Sequence, residues 1–341
     1  MNAPDRSDAV SDETAAAANW IERLAALRVT LVALVLLALG AIVAYNAEGE
    51  GRATLPLVLP LSVLAMNLLA AVASNRAFRR QTALLVFHLA LLAIVVLVAL
   101  GRLTYLRGAT EVVTGTEFST LIHQDAGPWH WNRLDRVRFT NDGFAIRYQP
   151  GLQRERTVNR VRWIDEDGQR KIAEVGDIEP LVIGGYRFYT THNKGFALMF
   201  RWQPQPGGEA AVGSVNLPAY PAREHEQARE WRLPGIDAPI WTLLDFDEVL
   251  LDPESDAEFR LPQRHQVVVR IGDRRWTVAP GGRIALENGT LTYEELRTWM
   301  GYAVFYDWTI PWLLTACLVA VLALAWHFRS KYFAQPWAAG N

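Results

Sequence analysis

The stretch QTALLVFHLALLAIVVLVALG, Gln81 to Gly101, decides the fold: 21 residues without Asp, Glu, Lys or Arg, interrupted by one histidine, His88. At about 1.5 Å of rise per residue it spans roughly 30 Å, the thickness of a bilayer's hydrocarbon, so it reads as a transmembrane helix. Three other stretches share the property: Val29 to Ala47 (19 residues), Ala53 to Asn75 (23) and Trp308 to Phe328 (21). A soluble cytoplasmic protein is excluded. The first span follows some twenty polar, acid-containing residues and is too long for the apolar core of a signal peptide, so it is expected to remain as an anchor.

Orientation follows from the short flanks. Arg23 and Arg28 precede the first span, Arg76, Arg79 and Arg80 separate the second from the third, and Arg329 and Lys331 follow the fourth. The loop between the first two carries Glu48, Glu50 and only Arg52. The positive-inside rule then places both termini in the cytoplasm, against the milder opposing signal of Arg102 and Arg107. The expected organisation is a cytoplasmic tail (1–22), three transmembrane helices (23–101), a large periplasmic domain (102–307), a fourth transmembrane helix (308–328) and a cytoplasmic tail (329–341).

The 206 residues from Arg102 to Asp307 carry 25 basic and 29 acidic side chains, enough chain for a domain with its own core. Scattered basic residues and a slightly acidic balance argue against nucleic acid as a partner. Cys317 is the single cysteine, so an internal disulfide, a Cys-x-x-Cys redox pair, a zinc ribbon and a Cys-x-x-Cys-His haem attachment site are all excluded from this chain. The domain's pattern is mostly of period two, which predicts an antiparallel β-rich fold, a sandwich or open barrel. Asn141-Asp142-Gly143 predicts a hairpin across Arg136 to Tyr148, and His192-Asn193-Lys194-Gly195 a second across Tyr186 to Trp202. Gln266 to Leu291 is a third β-rich stretch, and Gln203 to Arg264 wanders between short strands. Thr292 to Tyr302 predicts a short amphipathic helix, with Leu296, Trp299 and Met300 on one face. Tyr302, Tyr306, Trp308 and Trp312 then form an interfacial aromatic belt at the outer end of the fourth helix.

His88 carries the most functional information. It lies eight positions after Arg80, about 12 Å along the helix axis, inside the hydrocarbon and on the cytoplasmic half. A neutral imidazole there has a donor and an acceptor to satisfy. Either it is a ligand, or it is a packing histidine bonded to a neighbour such as Asn67. His327, two residues before Arg329, lies at the headgroup level on the same side of the membrane. A tetrapyrrole iron takes one or two neutral imidazoles, so His88 and His327 are the candidate haem ligands, against an interfacial reading of His327. His123, Asp125 and His130 have no metal-site spacing and read as a solvated loop, and Glu224-His225-Glu226 as part of an exposed helix face. No Gly-x-Ser-x-Gly, P-loop or His-Glu-x-x-His motif is present, so nothing points to hydrolysis or phosphoryl transfer.

The layout and three segments, FHLALLAIVVLVALGRLTYLRG (87–108), GGYRFYTTHNKGFALMFRW (184–202) and LRTWMGYAVFYDWTIPWLL (296–314), resemble the ResB (CcsB) proteins of cytochrome c biogenesis. In that family Phe-His-Leu-x-Leu of the third helix carries a haem ligand, which the resemblance places on His88. It further implies non-covalent haem, a ResC (CcsA)-like polytopic partner, an apocytochrome c as the recipient, the bilayer of a bacterial inner membrane, and a non-catalytic part in a cytochrome c haem lyase complex. The partner's Trp-Trp-Asp segment is missing here; Gly127-Pro128-Trp129-His130-Trp131 does not match it. The last helix opens with Asp307-Trp308-Thr309-Ile310-Pro311 in place of the Asp-Pro-Gly common in the family. The rival reading, from a different class, is a cofactor-free scaffold subunit that organises a membrane complex through its outer domain.

Overall fold

The computed structural model describes residues 20–46, 54–131, 133–205 and 207–333. Most of the expected N-terminal tail, Glu48, Glu50 and Arg52, and the end of the C-terminal tail lie outside them. The chain divides into two compact units: one takes in the helices, residues 125–131 and the chain from 306 onward, and the other residues 107–124 and 132–305.

Among the described residues, four helices are long and apolar enough to cross a membrane: α1 (Leu27–Asn46), α2 (Thr54–Ser74), α4 (Thr82–Thr104) and α5 (Ile310–Phe333). The short α3 (Arg76–Arg80) links α2 to α4. The protein is thus a membrane protein with three spans before its β-rich region and one after it, as the apolar runs require. In lipid the helices gain nothing from hydrophobic exclusion and associate through close packing, which small residues permit. Accordingly α5 buries Ala316, Ala320 and Ala323 while Trp312, Leu314, Leu318 and Leu322 stay exposed on its surface. Gly101 of α4 lies where a Cβ would come within 2.9 Å of Thr309 Oγ1 at the start of α5. Asp307 Oδ1 accepts hydrogen bonds from the Thr309 amide (2.9 Å) and hydroxyl (2.7 Å), satisfying a donor that the first turn of α5 leaves free.

The α1–α2 contact is closer still. A Cβ on Gly40 would stand 2.1 Å from the Pro56 carbonyl oxygen, with backbone on both sides. Gly40→Val is therefore expected to force the two helices apart and cost about 1–3 kcal/mol, the usual range for overpacking. Thermal unfolding in detergent should show the loss, while Leu39→Val, at an exposed neighbour, should leave the midpoint unchanged.

Asn67 of α2 is buried, and its side chain is fully used by the N-terminal part of the chain. Its amide donates to the carbonyls of Leu24 (2.6 Å) and Ala26 (3.4 Å), where the helical path breaks before α1, and its Oδ1 accepts from the Thr30 hydroxyl at 2.8 Å. A break in a membrane helix needs such partners for its freed carbonyls. Asn67 is thereby not the neighbour that bonds His88, which corrects the partner named for the packing reading and leaves that reading itself open.

The β-rich unit is antiparallel throughout its registered pairs. Its strands are β1 (Leu106–Val113), β2 (His123–Ala126), β3 (Thr140–Ala145), β4 (Arg147–Gln149), β5 (Gln153–Arg154), β6 (Val158–Ile164), β7 (Arg170–Val175), β8 (Leu181–Ile183) and β9 (Tyr186–Pro204), followed by β10 (Ala211–Asn216), β11 (Ala228–Trp231), β12 (Ile240–Asp245), β13 (Ala257–Glu258), β14 (Gln266–Ile271), β15 (Arg274–Val278), β16 (Arg283–Leu286) and β17 (Gly289–Tyr306). The main sheet runs β10-β9-β17-β1-β2, with β8 also on β9 and β16 on β17; smaller sheets are β11-β12-β14-β15, β3-β6-β7 and β13-β4-β5.

Three local expectations are corrected. The His192–Gly195 turn is absent, because Tyr186 to Pro204 is one strand that pairs with β17 on both sides of an irregularity at residues 191–193. The helix expected over Thr292–Tyr302 is strand β17, whose register shifts at Tyr293/Glu295 and Met300/Tyr302. The shift at Tyr293/Glu295 adds one residue to the period-two pattern of β17, so Tyr293 and Leu296 are both buried three apart; Trp299, on the opposite face, is buried with Ala197 and Met199, and the three together imitate a helix face. Asn141-Asp142-Gly143 is likewise a bulge inside β3, not a hairpin turn. The fully buried Asn141 donates to the Val112 carbonyl and accepts from the Gly143 amide and the Asn159 side chain, which pins the bulge. Within the third β-rich stretch, turns at Gly272-Asp273 and at Asn288 join β14 to β15 and β16 to β17. Glu224-His225-Glu226 forms only a single exposed turn of 3₁₀ helix ahead of β11. Aromatic contacts fill the core, with Phe118, Phe139, Phe188 and Tyr302 in one group and Phe196, Tyr220 and Phe259 in another.

Candidate functional site

His88 sits six residues into α4, about 9 Å from the start of the helix. Its Nδ1–H donates to the Leu84 carbonyl oxygen at 2.8 Å, one turn back. A carbonyl accepts only, so this bond assigns the ring proton to Nδ1 and leaves Nε2 as the lone-pair nitrogen of the neutral imidazole. The ring is half-buried between Phe78 of α3, at 4.5 Å between centroids, and Phe87, edge-on at 5.3 Å. An imidazole whose Nδ1 is bonded to a carbonyl and whose ring is clamped by packing has the arrangement that metal-ligating histidines use to aim Nε2. Leu84, Leu85, Leu91 and Leu92 supply apolar neighbours on the same helix. The donor set fits a haem iron held by one imidazole in dry surroundings.

His327 occupies α5, half-buried, with its ring 5.8 Å from that of Phe328. Because α4 and α5 meet at Gly101 and Thr309, depth can be counted from there: His88 lies 13 residues down α4, roughly 20 Å, and His327 lies 18 residues down α5, roughly 27 Å. The two histidines share one half of the bundle but differ by about 7 Å in depth.

The other end of α4 carries an aromatic and polar collar. The Trp308 indole donates to the Thr104 hydroxyl (3.0 Å), His130 Nδ1–H donates to the Thr104 carbonyl (2.8 Å), and the rings of His130 and Trp131 pack edge-on to Tyr306. The Tyr105 hydroxyl donates to Asp125 at 2.6 Å, and the Arg102 guanidinium lies over the Tyr105 ring at 4.3 Å. Asp125 and His130 are therefore not part of a solvated loop, while His123 stays exposed in β2. Asp125 and His130 tie residues 125–131 to the end of α4, and Gly127 is needed there because a Cβ would meet the Leu103 carbonyl oxygen at 2.3 Å. Among the described residues no group of three or more His, Cys, Asp or Glu side chains converges to hold a metal ion.

In the β-rich unit, Lys194 is only 3 % exposed, although its neighbours in the sequence read as a turn. Its Nζ stands 5.3 Å from the Tyr148 ring centroid and donates to the His192 carbonyl at 3.4 Å. Burial lowers its pKa to about 8, assisted by repulsion from Arg154 and opposed by Asp177. Arg154 and Thr190 both bond the Asp177 carboxylate. Burial pushes that carboxyl up, and these bonds overcome it and hold the group below the ordinary range. His265 bonds the Tyr293 hydroxyl at 2.8 Å, and burial holds its pKa down.

Fold and site together define a polytopic membrane protein with a β-rich domain between its third and fourth spans and a histidine inside the third. The model of the ResB-like family matches residues 65–230, from α2 through β11, just under half of the chain; over this span the protein is similar to that family. His88 and Lys194 fall inside the matched segment and His327 falls outside it. No curated protein matches the chain.

Proposed function

We propose that this protein is the ResB-like subunit of a haem delivery and cytochrome c maturation complex. In this reading His88 Nε2 holds the haem iron during transit, and the apolar residues beside it keep water from the macrocycle. The β-rich domain is the periplasmic docking surface for apocytochrome c and for a ResC/CcsA-like partner in the bacterial inner membrane. In this reading the chain serves the synthetase as a non-catalytic subunit that holds and presents haem. The observation that carries the reading is the His88 Nδ1–H bond to Leu84, which points a lone-pair nitrogen away from its own helix backbone at membrane depth. His327 is assigned a secondary part, because its position nearer the helix end suits the entry side better than a shared iron. The test is an absorption spectrum of the protein purified with its partner: a Soret band of a histidine-ligated haem is expected, and its absence would favour the cofactor-free scaffold.

The orientation is part of the same proposal. A reporter fused after Asn341 should be active only in the cytoplasm, and one inserted at Gly207, in the β9–β10 turn, only in the periplasm. Gly207 suits the insertion because nothing lies within 4 Å of where its Cβ would stand. The opposite pattern would invert the topology.

A further inference from the structure

The β8–β9 hairpin has the wrong chemistry for a turn exposed to water. Its sequence is Leu181-Val182-Ile183-Gly184-Gly185-Tyr186, without a charged residue; Gly184 and Gly185 both have positive φ, +58° and +84°, which makes the tight two-residue turn possible. Val182 is 54 % exposed, and Ile164 beside it 71 %. Together with Arg133 and Arg136 they line a groove of about 590 Å³. Among the described residues no carboxylate pairs with either arginine, whereas Arg138 is paired with Glu117. Asp165 of the same groove is occupied by the amides of Asp167 and Gln169 and by Lys171, which leaves Glu166 as the opposing charge on the rim.

Strand register says where this tip lies along the main sheet. Ile183 pairs with Tyr186, and the adjoining residue of β9, Arg187, pairs with Phe305, the penultimate residue of β17. The membrane helix α5 begins at Ile310, so four residues, five steps of chain and at most roughly 17 Å, separate Phe305 from it. Two guanidinium groups without a carboxylate partner among the described residues, beside exposed aliphatic side chains and so close in the chain to a membrane span, match a surface of lipid phosphates over acyl chains.

We propose that the β8–β9 tip and Arg133 and Arg136 rest on the phospholipid headgroups of the leaflet on the domain's own side, with Val182 and Ile183 entering the interface and the arginines on phosphates. This contact fixes the domain against the bilayer and does not depend on haem. The test uses the full chain with Cys317→Ala and a single Val182→Cys, labelled with an environment-sensitive fluorophore and placed in nanodiscs containing headgroup spin-labelled phospholipid. Val212→Cys, equally exposed but on β10 toward the other end of β9, is the control. Loss of most of the fluorescence at position 182 and little at position 212 is expected. Arg133→Glu with Arg136→Glu should weaken the quenching at 182 in nanodiscs rich in phosphatidylglycerol. Equal quenching at the two positions, or a label at 182 that the lipid quencher does not reach, would overturn the proposal.

Discussion

His88→Ala is expected to lower the haem absorbance of the purified complex by at least about tenfold, because disturbing even the second shell of a ligand commonly costs that much in affinity. Protein level should stay normal, since the ring is half-buried and its contacts are few: Phe78, Phe87 and the carbonyl of its own helix. His88→Phe separates the two roles of the side chain. Phenylalanine keeps the packing against Phe78 and offers iron no ligand, so it should hold the fold and lose haem as fully as alanine does. His88→Met, with a thioether that also ligates haem iron, should be less severe. Exogenous imidazole should partly restore the spectrum of His88→Ala by filling the vacated position. His327→Ala should do less, given its difference of about 7 Å in depth. Unchanged haem content and cytochrome maturation in both His88→Ala and His88→Phe would leave the scaffold as the better reading.

The four spans were legible because a bilayer asks only for length and apolar composition, and nothing distant in the sequence can change that answer. The two longest strands were not. In β9 the segment His192-Asn193-Lys194-Gly195 has turn composition, yet it lies opposite the register shift at Met300/Tyr302, where the unequal residue count on the two strands is absorbed. In β17 a separate bulge at Tyr293/Glu295, with both faces buried further along, produced a false helical period. Both errors come from bulges, which depend on the partner strand and leave no local mark. Asn141 shows this from the other side: its turn-like Asn-Asp-Gly context serves a buried amide that joins β1, β3 and β6. At the candidate site, the identity of His88 was legible as the polar residue of an apolar helix. Which nitrogen it presents was not, because that follows from the Leu84 carbonyl and from an aromatic ring contributed by the linker helix. Lys194 was missed altogether, since a buried cation has no signature in one dimension.

Lys194 makes the second large prediction. The pKa of the side chain falls from 10.5 to about 8 on folding, so the folded state holds its proton less tightly than the unfolded state does. The sign then follows. Above about 10.5 the amine is neutral in both states and the fold bears no penalty; as pH falls from there to about 8, the unfolded chain takes up a proton that the folded one resists, and stability drops. Below about 8 both states are protonated and the penalty is complete, on the order of 3 kcal/mol at 1.36 kcal/mol per unit. The Tyr148 ring and the His192 carbonyl favour the folded cation and work against this penalty. Lys194→Met keeps the length and apolar stem of the side chain and removes the charge. At pH 7 it should therefore raise the unfolding midpoint of the β-rich domain, followed by tryptophan fluorescence of the full protein in detergent, by roughly 5–10 °C. Between pH 8 and 10.5 the gain should shrink toward zero as the wild-type amine loses its proton. A methionine variant less stable than wild type at pH 7 would mean that the ammonium is a structural partner of Asp177, and a gain independent of pH would mean that packing and not charge separates the two proteins.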